Sequence, residues 1–492
     1  MTALAMTLPA ALGVSLDEVA LALAPWGARV LGNASVRVAG VRQDSRTVVP
    51  GDLFAARSGK RASGADFAVE AVRRGAAAVL AEPGALTAPL GVPVVEVSDV
   101  RAALGRAAEL VYGSPSRALA LVGITGTNGK TTTSLLLEHA LTVLGARPAR
   151  LGTLGYSFGG VAEEGALTTP EADEVSRRLA SALGHGASHF VMEVSSHALS
   201  LARVDALHFR VAAFTNLTQD HLDFYPSMAA YGAAKERLFS ELSPEISVIA
   251  VDDEFGRGLA ARAQGRVLTT GRAPEASVHP LTFTTDGHGV RAEVATPRGS
   301  VSLVSALVGE HNLENLLLAL GVLLALGFEP GPAASALGSA PAVPGRLERC
   351  DRDDDDVRVL AATARITAGQ VVCVFGCGGD RDPDKRPKMG AAVAQGAARA
   401  VLTSDNPRSE DPAVIAAAVE AGLRDGRATY EVVLDRAQAI EKAVLEARPG
   451  DSVLIAGKGH EPYQIIGVEK RPFDDRVEAR RALQRRRARR QP

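Results

Sequence analysis

The sequence predicts an α/β protein of three successive domains, and three observations carry that prediction. A chain of 492 residues exceeds what one hydrophobic core organises, since domains run to roughly 100–200 residues. Short apolar runs of strand length alternate with amphipathic stretches of helical period, the pattern of parallel sheets wound by helices. A glycine-rich turn, Gly126 to Gly129, follows one apolar run and opens a helix. That is the strand–loop–helix unit of phosphate-binding domains.

Turn signals place the boundaries. Gly113-Ser114-Pro115 and the stretch Pro341 to Gly345 divide the chain into 1–115, 116–342 and 343–492. In the first domain, Phe67 to Glu82 (FAVEAVRRGAAAVLAE) predicts a helix followed by a strand. In the second, Ala118 to Ile124 predicts a strand. The helix after it has Leu137, Ala140, Leu141 and Leu144 on one face and Gly145 as its stop. Phe190–Val194, Val211–Phe214 and Ser247–Val251 add parallel strands. The third domain repeats the alternation, with strands at Val371–Phe375, Ala400–Thr403 and Ser452–Ala456 and helices at Pro412–Arg424 and Ala437–Ala447. This predicts a doubly wound, Rossmann-like sheet that binds ligands at the carboxyl ends of its strands. The loops there read FGCGGDRD, SDNPR and AGKGHE.

Composition excludes several classes. Formal net charge is −2, so no global field recruits nucleic acid or anionic lipid. No run approaches the ~20 apolar residues of a membrane span. The N-terminus lacks a charged leader region. Three cysteines in no zinc spacing fit a reducing cytoplasm. The basic block from Arg480 to Arg490 is expected to be the solvated end of a last helix.

The strongest chemical signal is Thr125-Gly126-Thr127-Asn128-Gly129-Lys130-Thr131-Thr132. Glycines let backbone N–H groups turn toward phosphate oxygens, and the helix N-terminus adds a favourable dipole. Lys130 is placed for terminal phosphates and the Thr131 hydroxyl for Mg²⁺. Ile124 stands where the strict P-loop spacing asks for glycine. Glu193 and His221, an oxygen and a nitrogen donor at strand ends, are candidates for a further Mg²⁺.

The form GTNGKT resembles the Mur ligases and folylpolyglutamate synthases, and further motifs narrow the resemblance to Mur ligases of the MurE type. They are Asp44-Ser45-Arg46, Pro50 to Phe54 (PGDLF), Thr168-Thr169-Pro170, Met192 to His197 (MEVSSH), and Thr215-Asn216-Leu217 through Asp220-His221-Leu222-Asp223. Tyr231 to Phe239 (YGAAKERLF), Pro344 to Glu348 (PGRLE), Phe375 to Met389 and Gly457 to Glu461 (GKGHE) continue it in order. The resemblance implies an N-terminal uridine-nucleotide domain, a central ATP-binding domain and a C-terminal amino-acid-binding domain. It implies an ATP- and Mg²⁺-dependent amide ligase acting through an acyl phosphate on UDP-N-acetylmuramoyl-L-alanyl-D-glutamate and a diamino acid. It also implies a cytoplasmic enzyme without nucleic-acid or membrane partners, expected to be a monomer.

Residue by residue, the resemblance places Gly126, Thr127, Asn128, Gly129, Lys130, Thr131, Thr132, Asn312 and Arg346 at ATP. Lys130, Glu193, His221 and Lys235 form the catalytic group. Thr131, Glu193, His221 and Lys235 hold metal, Lys235 as a carbamate formed with CO₂. Ser45, Arg46, Thr168, Thr169, Ser195 and Arg203 are implied for the muramoyl precursor, with Arg203 suited to a bidentate carboxylate pair. Arg381, Asp405, Asn406, Arg408, Gly457 and Glu461 are implied for the amino acid. In this motif Arg408 points to meso-diaminopimelate, because enzymes taking lysine usually lack it; ornithine or lysine stay open as alternatives.

The resemblance lapses from Leu347 to Val357, where the family carries a Tyr-Ala-His-Thr-Pro-Asp segment that contacts the nucleotide. Asp353 to Asp356 predict a solvated loop. A missing strand in the last sheet, Asp355 as a stand-in for the family aspartate, and weakened ATP affinity are the expectations there.

Overall fold

The structure, a computed structural model, describes residues 13–59, 63–286, 289–341, 348–351, 355–361, 370–459 and 461–490. Two compact units are distinguishable. One comprises Met1–Leu281, Glu293–Ser302 and Glu314–Leu337; the other comprises Thr282–Ala292, Leu303–Leu313 and Gly338–Pro492. Among the described residues no helix is long and apolar enough to cross a membrane.

The first unit carries two principal sheets. In the N-terminal one, Arg29–Leu31, Val94–Glu96, Ala78–Ala81, Asp52–Ala55 and Gly40–Arg42 lie in that order. All but Arg29–Leu31 run parallel. Side chains alternate between two cores. Leu53 and Leu80 join one, while Phe54 and Val79 join the other. A strand buried on both faces reads as an unbroken apolar run, which is why AVLA carries no polar residue. The predicted helix-then-strand over Phe67 to Glu82 appears as Ala68–Arg73 and Ala78–Ala81.

The central sheet has eight strands. Their order is Val161–Glu163, Gly155–Phe158, Pro148–Gly152, His189–Glu193, Ala120–Thr125, Val211–Phe214, Ile246–Ala250 and Arg266–Thr270. The last six are parallel, as expected. The hairpin Gly155–Phe158/Val161–Glu163 adds an antiparallel edge that the sequence reading did not anticipate. Its turn is Gly159-Gly160, both at positive φ (59° and 84°), the backbone that two-residue hairpins require. Register matters most at the carboxyl ends. Glu193 pairs with Ile124 and Phe214 with Thr125, so three loops leave the sheet side by side. The helix Lys130–Val143 covers it with fully buried Leu137, Ala140 and Leu141. Each large side chain so buried contributes about 1.5–3 kcal/mol.

In the second unit the sheet order is Glu348–Arg349, Arg358–Ala361, Ser452–Ile455, Val371–Phe375, Arg399–Leu402 and Thr429–Val432. All are parallel except the first. Two expectations are corrected here. Where a strand was expected to be missing, Arg358–Ala361 lies beside Ser452–Ile455. The acidic run is also not simply solvated. Asp355 is paired with Arg487 at 2.5 Å and its side chain is only 3% exposed. Asp356 is paired with Arg486 at 2.7 Å. Two arginines of the basic tail, expected to be solvent-facing, therefore pair with Asp355 and Asp356 from the helix Asp475–Arg490, while Asp353 and Asp354 lie outside the described residues. Arg486 also donates to the carbonyls of Val444 (2.7 Å) and Leu445 (3.2 Å), at the negative end of the helix Arg436–Glu446. Asp355 is thus engaged by an arginine of its own chain, against its expected part at nucleotide.

The same helix begins with a buried ion pair. Asp475 takes both Arg436 Nε and Nη2 at 2.7 Å, with side-chain exposures of 0% and 2%. Removing one partner strands the other charge in the interior. Asp475→Ala is expected to lower unfolding stability by about 3–5 kcal/mol, read from denaturant midpoints. An unchanged midpoint would show the pair to be dispensable.

Candidate functional site

The phosphate loop sits where two glycines are sterically compelled. Gly126 has φ 143°, and a Cβ there would lie 1.8 Å from Thr215 Oγ1. Gly129 has φ 88°, with Asn315 Oδ1 2.4 Å from the same imagined atom. Ile124 is a fully buried strand residue ahead of the turn, so the strict spacing is relaxed at a position inside the sheet. The neighbouring strand's loop braces the turn. Asn216 Oδ1 accepts from Asn128 N (3.0 Å), Asn216 O accepts from Thr127 N (2.8 Å), and Thr215 Oγ1 donates to Asn128 O (2.6 Å). Thr132, like Thr131, is buried in the first turn of the helix.

Two lysines meet on this loop. Lys130 Nζ donates to Gly126 O (2.8 Å) and Thr127 O (2.9 Å). Lys235, from the helix Met228–Ser240, donates to the same Gly126 oxygen at 2.8 Å. Lys235 is 1% exposed. Burial, and then the charge of Lys130, push its amine down to about 6 from an ordinary 10.5, against an opposing pull from Asp220. The Tyr231 ring lies 4.3 Å from Lys235 Nζ, and its hydroxyl is 3.3 Å from Thr127 Oγ1.

Glu193 ends its strand fully buried. One carboxylate oxygen accepts from the hydroxyls of Thr131 (3.0 Å) and Thr153 (2.9 Å). The other accepts from Thr153 N at 3.0 Å. His221 stands at φ 53°, its ring edge-on to His197 at 4.9 Å and 5.9 Å from Tyr231. Burial lowers the pKa of both histidines, and the His221 charge further lowers that of His197. Neutral imidazoles keep a lone pair available. Among the described residues no three His, Cys, Asp or Glu side chains cluster as a metal site. The carboxylate of Glu193 beside the Thr131 hydroxyl is nevertheless a hard-oxygen pair of the type Mg²⁺ takes. The structure thus gathers Lys130, Thr131, Glu193 and Lys235 around one loop, and places His221 against Tyr231.

The residues expected at the muramoyl precursor divide. Thr169 Oγ1 donates to Glu193 O (2.9 Å) and accepts from Ser195 N (3.0 Å). Thr168 Oγ1 is 3.2 Å from Thr153 Oγ1. Thr168 thus reaches the Glu193 carboxylate through Thr153, while Thr169 and Ser195 are tied to the main chain at the end of the Glu193 strand. Arg203 is engaged within the chain. It donates to Thr169 O (3.0 Å) and to the Glu171 carboxylate (2.6 Å). Ser45 is buried in a short turn, and Arg46 is exposed and paired with Asp44 at 2.7 Å.

In the second unit, the DNPR loop is interlocked with its neighbours. Asn406 is 3% exposed. Its Oδ1 accepts from Lys458 Nζ (2.8 Å) and Ile465 N (2.9 Å), and its Nδ2 donates to Glu461 (2.6 Å). Arg408, at φ 53°, donates from its guanidinium to Gly379 O. Asp405 Oδ1 is buried, 3.3 Å from the Lys458 ammonium, and has no hydrogen-bond partner among the described residues. Gly457, at φ 125°, is 3.4 Å in Cβ terms from Asp405 Oδ2. Arg381 is exposed on its loop. Asn312 is buried and donates to Val308 O at 2.8 Å. Arg346 lies outside the described residues, as does His460 of the GKGHE stretch.

Sequence reasoning did not single out Thr153, His197, Asn216, Tyr231 or Lys458. The last four stand inside motifs already recognised, and asking what each polar side chain there does would have found them. Thr153 carries no signal of its own.

Comparison with known proteins agrees with this geometry. Profiles for the "Mur ligase family, catalytic domain", the "Mur ligase middle domain" and the "Mur ligase, glutamate ligase domain" match residues 37–112, 124–323 and 355–459. A UDP-N-acetylmuramoyl-L-alanyl-D-glutamate–2,6-diaminopimelate ligase of Gloeobacter violaceus is 44% identical, covering 92% of this chain and 95% of that one. The same-named ligase of Streptomyces coelicolor is 43% identical, over 92% and 93%. A solved structure of a ligase with this name is 31% identical, covers 97% of this chain and 100% of its own, and superimposes with a TM-score of 0.68. MurF from Thermotoga maritima, solved with ADP, shares the fold at 19% identity and a TM-score of 0.60, over 91% and 98% of the two chains. With relatives this similar along nearly its whole length and a glycine-rich loop gathering two lysines and a buried glutamate, the chain belongs to the Mur ligase family.

Proposed function

We propose that this chain is an ATP-dependent ligase that joins meso-diaminopimelate to the glutamyl carboxyl group of UDP-N-acetylmuramoyl-L-alanyl-D-glutamate, a step of peptidoglycan precursor synthesis. One observation carries the reading: Lys130 and Lys235 share the Gly126 carbonyl while Thr131 and Glu193 pair beside them. A carboxylate is a poor electrophile, and ATP is as anionic as the acceptor it must meet. Transfer of the γ-phosphoryl group to the glutamyl carboxylate gives an acyl phosphate and ADP. The amine then attacks the acyl carbon, loses a proton and expels inorganic phosphate. Catalysis is therefore placement and charge neutralisation.

In this reading Lys130 exchanges its loop carbonyls for terminal phosphate oxygens. Backbone amides from Gly126 to Thr132 cradle the phosphate chain, with Asn312 and Arg346 as further nucleotide contacts. Lys235, neutral above about pH 6, has the lone pair needed to add CO₂. The product is a carbamate and a released proton, so a neutral amine becomes a carboxylate-like anion beside the loop. Thr131, Glu193, His221 and Lys235 as its carbamate would hold Mg²⁺, which would supply positive charge against the phosphate oxygens. Thr168, Thr169, Ser195 and Arg203 receive the acceptor peptide, and Ser45 and Arg46 the uridine end. Arg408 and Arg381 take carboxylates of the diamino acid; Asp405, Asn406, Gly457 and Glu461 take its ammonium ends. The division at 115 and 342 follows these roles. The reading has the chain acting as a cytoplasmic monomer, without a nucleic-acid or membrane partner.

Phosphate release by the purified protein is expected to need both the muramoyl dipeptide and the diamino acid. It should favour meso-diaminopimelate over lysine and ornithine by at least about 10-fold, the value of one charge-assisted contact. Release without the acceptors would instead mark a simple nucleotidase.

Lys235→Ala is expected to lower kcat by about 10²–10³-fold, the cost of one preorganised charge contact. Partial recovery with acetate would support the carboxylate-like role, and an undiminished rate would remove Lys235 from the mechanism. The pH dependence has a definite sign. The amine is depressed, so its nucleophilic form is complete above about pH 6 and is lost as pH falls through it. At fixed dissolved CO₂, the initial rate of labelled CO₂ trapping should be level above pH 6 and drop about tenfold per unit below it. A rate still climbing toward pH 10 would identify an ordinary lysine.

A further inference from the structure

We propose that Lys458 is a positioning residue that presets the amino-acid pocket by fixing which way the Asn406 amide faces, and through it the carboxylate of Glu461. The proposal rests on the diamino-acid reading above and deepens it. A primary amide has an acceptor end and a donor end of nearly equal shape, so its surroundings decide its orientation. Asn406 Oδ1 is met by two donors, Lys458 Nζ at 2.8 Å and Ile465 N at 2.9 Å. That leaves Nδ2 to donate to Glu461 Oε2 at 2.6 Å. Turned over, the amide would point hydrogens at an ammonium and a backbone N–H, and its oxygen at a carboxylate.

Lys458 is itself held in place. Its side chain is 0% exposed, and it donates to Tyr463 O at 2.7 Å as well as to Asn406. Asp405 Oδ1 stands 3.3 Å away. Two of the ammonium's hydrogens are thereby committed to hydrogen bonds, and its charge is paired with the Asp405 carboxylate. Burial lowers its pKa, with the Asp405 charge opposing the shift. Charge is also disposed usefully. The ammonium sits behind Asp405 and Asn406, and the carboxylates of Asp405 and Glu461 are left on either side of the amide. A substrate bearing two ammonium groups needs two such anions in fixed positions. Without Lys458, Asn406 has only the Ile465 N–H to orient it, and the donor it presents to Glu461 is held less firmly.

The test compares Lys458→Met, which removes the donor, with Lys458→Gln, which keeps a neutral one. With the wild type as reference, Met is expected to raise KM for meso-diaminopimelate about 10- to 100-fold. KM for ATP and for the muramoyl dipeptide should stay within about twofold, and Gln should recover much of the loss. An unchanged KM for the diamino acid would overturn the proposal. So would equal rises for all three substrates, which is what a merely structural lysine would produce. A second readout does not depend on turnover, so failure of the ligase reading stays distinguishable. The side-chain NH₂ signal of Asn406, assigned by its loss in Asn406→Asp, should be slow to exchange with water in the wild type and fast in Lys458→Met. Equal exchange in both would refute the positioning role.

Discussion

The carbonyl oxygen of Gly126 is the constraint on which the central site turns. Two lysines donate to it at 2.8 Å each, so two potential cations stand a few ångströms apart with burial limiting their hydration. Such a pair cannot comfortably carry two charges. The cost falls on Lys235, the deeper of the two, whose amine is driven to about 6. In the proposed reading Lys130 answers phosphate, and Lys235 is a nucleophilic amine in a place where an ordinary lysine would be protonated. Both outcomes require the loop to present its carbonyl inward, and hence require glycine at 126, where φ is 143° and Thr215 leaves no room for a Cβ.

The last domain solves its electrostatics by a different route, with complete pairs. Arg436 and Asp475 close on each other in the interior, and Arg436 also donates to Ala456 O at 3.0 Å. The strand-end carbonyl that opens the GKGHE loop is thereby tied to the final helix. Farther along that helix, Arg486 and Arg487 meet Asp356 and Asp355. Buried pairs of this kind add little net stability over apolar packing, but they penalise every arrangement that separates them. Their yield is geometric: the loops at the strand ends are held in one register, on which the proposed pocket for a doubly charged amino acid depends.

What the sequence revealed and what it hid follow from distance along the chain. The phosphate loop was legible because its glycines, lysine and threonine lie within a few residues of one another, flanked by their strand and helix. The parallel strands were legible because a strand buried on both faces has no polar residue to confuse the period. The acidic run was misread because its partners lie far along the chain. Asp356 and Arg486 are separated by 130 residues, and no local pattern announces that pairing. The tie between Arg203 and Glu171 was hidden for the same reason, since Glu171 reaches it from another segment, 32 residues away. Thr153 was invisible: a lone threonine in a turn says nothing of the carboxylate it will hold.

Strain tells the same story from the backbone. Among the described residues, six non-glycine residues adopt positive φ. Three of them, His221, Asp380 and Arg408, stand in the loops that carry the candidate ligand contacts. Each such residue costs on the order of 1 kcal/mol or more, and persists only where its surroundings hold it. The holders are visible. Arg408 N donates to Ile465 O (3.1 Å), and Arg408 O accepts from Gly467 N (2.7 Å). Asp380 N donates to Glu410 (2.6 Å), and the Asp380 carboxylate accepts from the Ser409 hydroxyl at 2.6 Å. His221 N donates to Asp220 Oδ1 at 2.9 Å. A loop free to relax would give up these angles. That the hydrogen bonds are arranged to keep them indicates that the directions of the His221 ring and the Arg408 guanidinium are what the folded chain conserves at this expense in backbone energy.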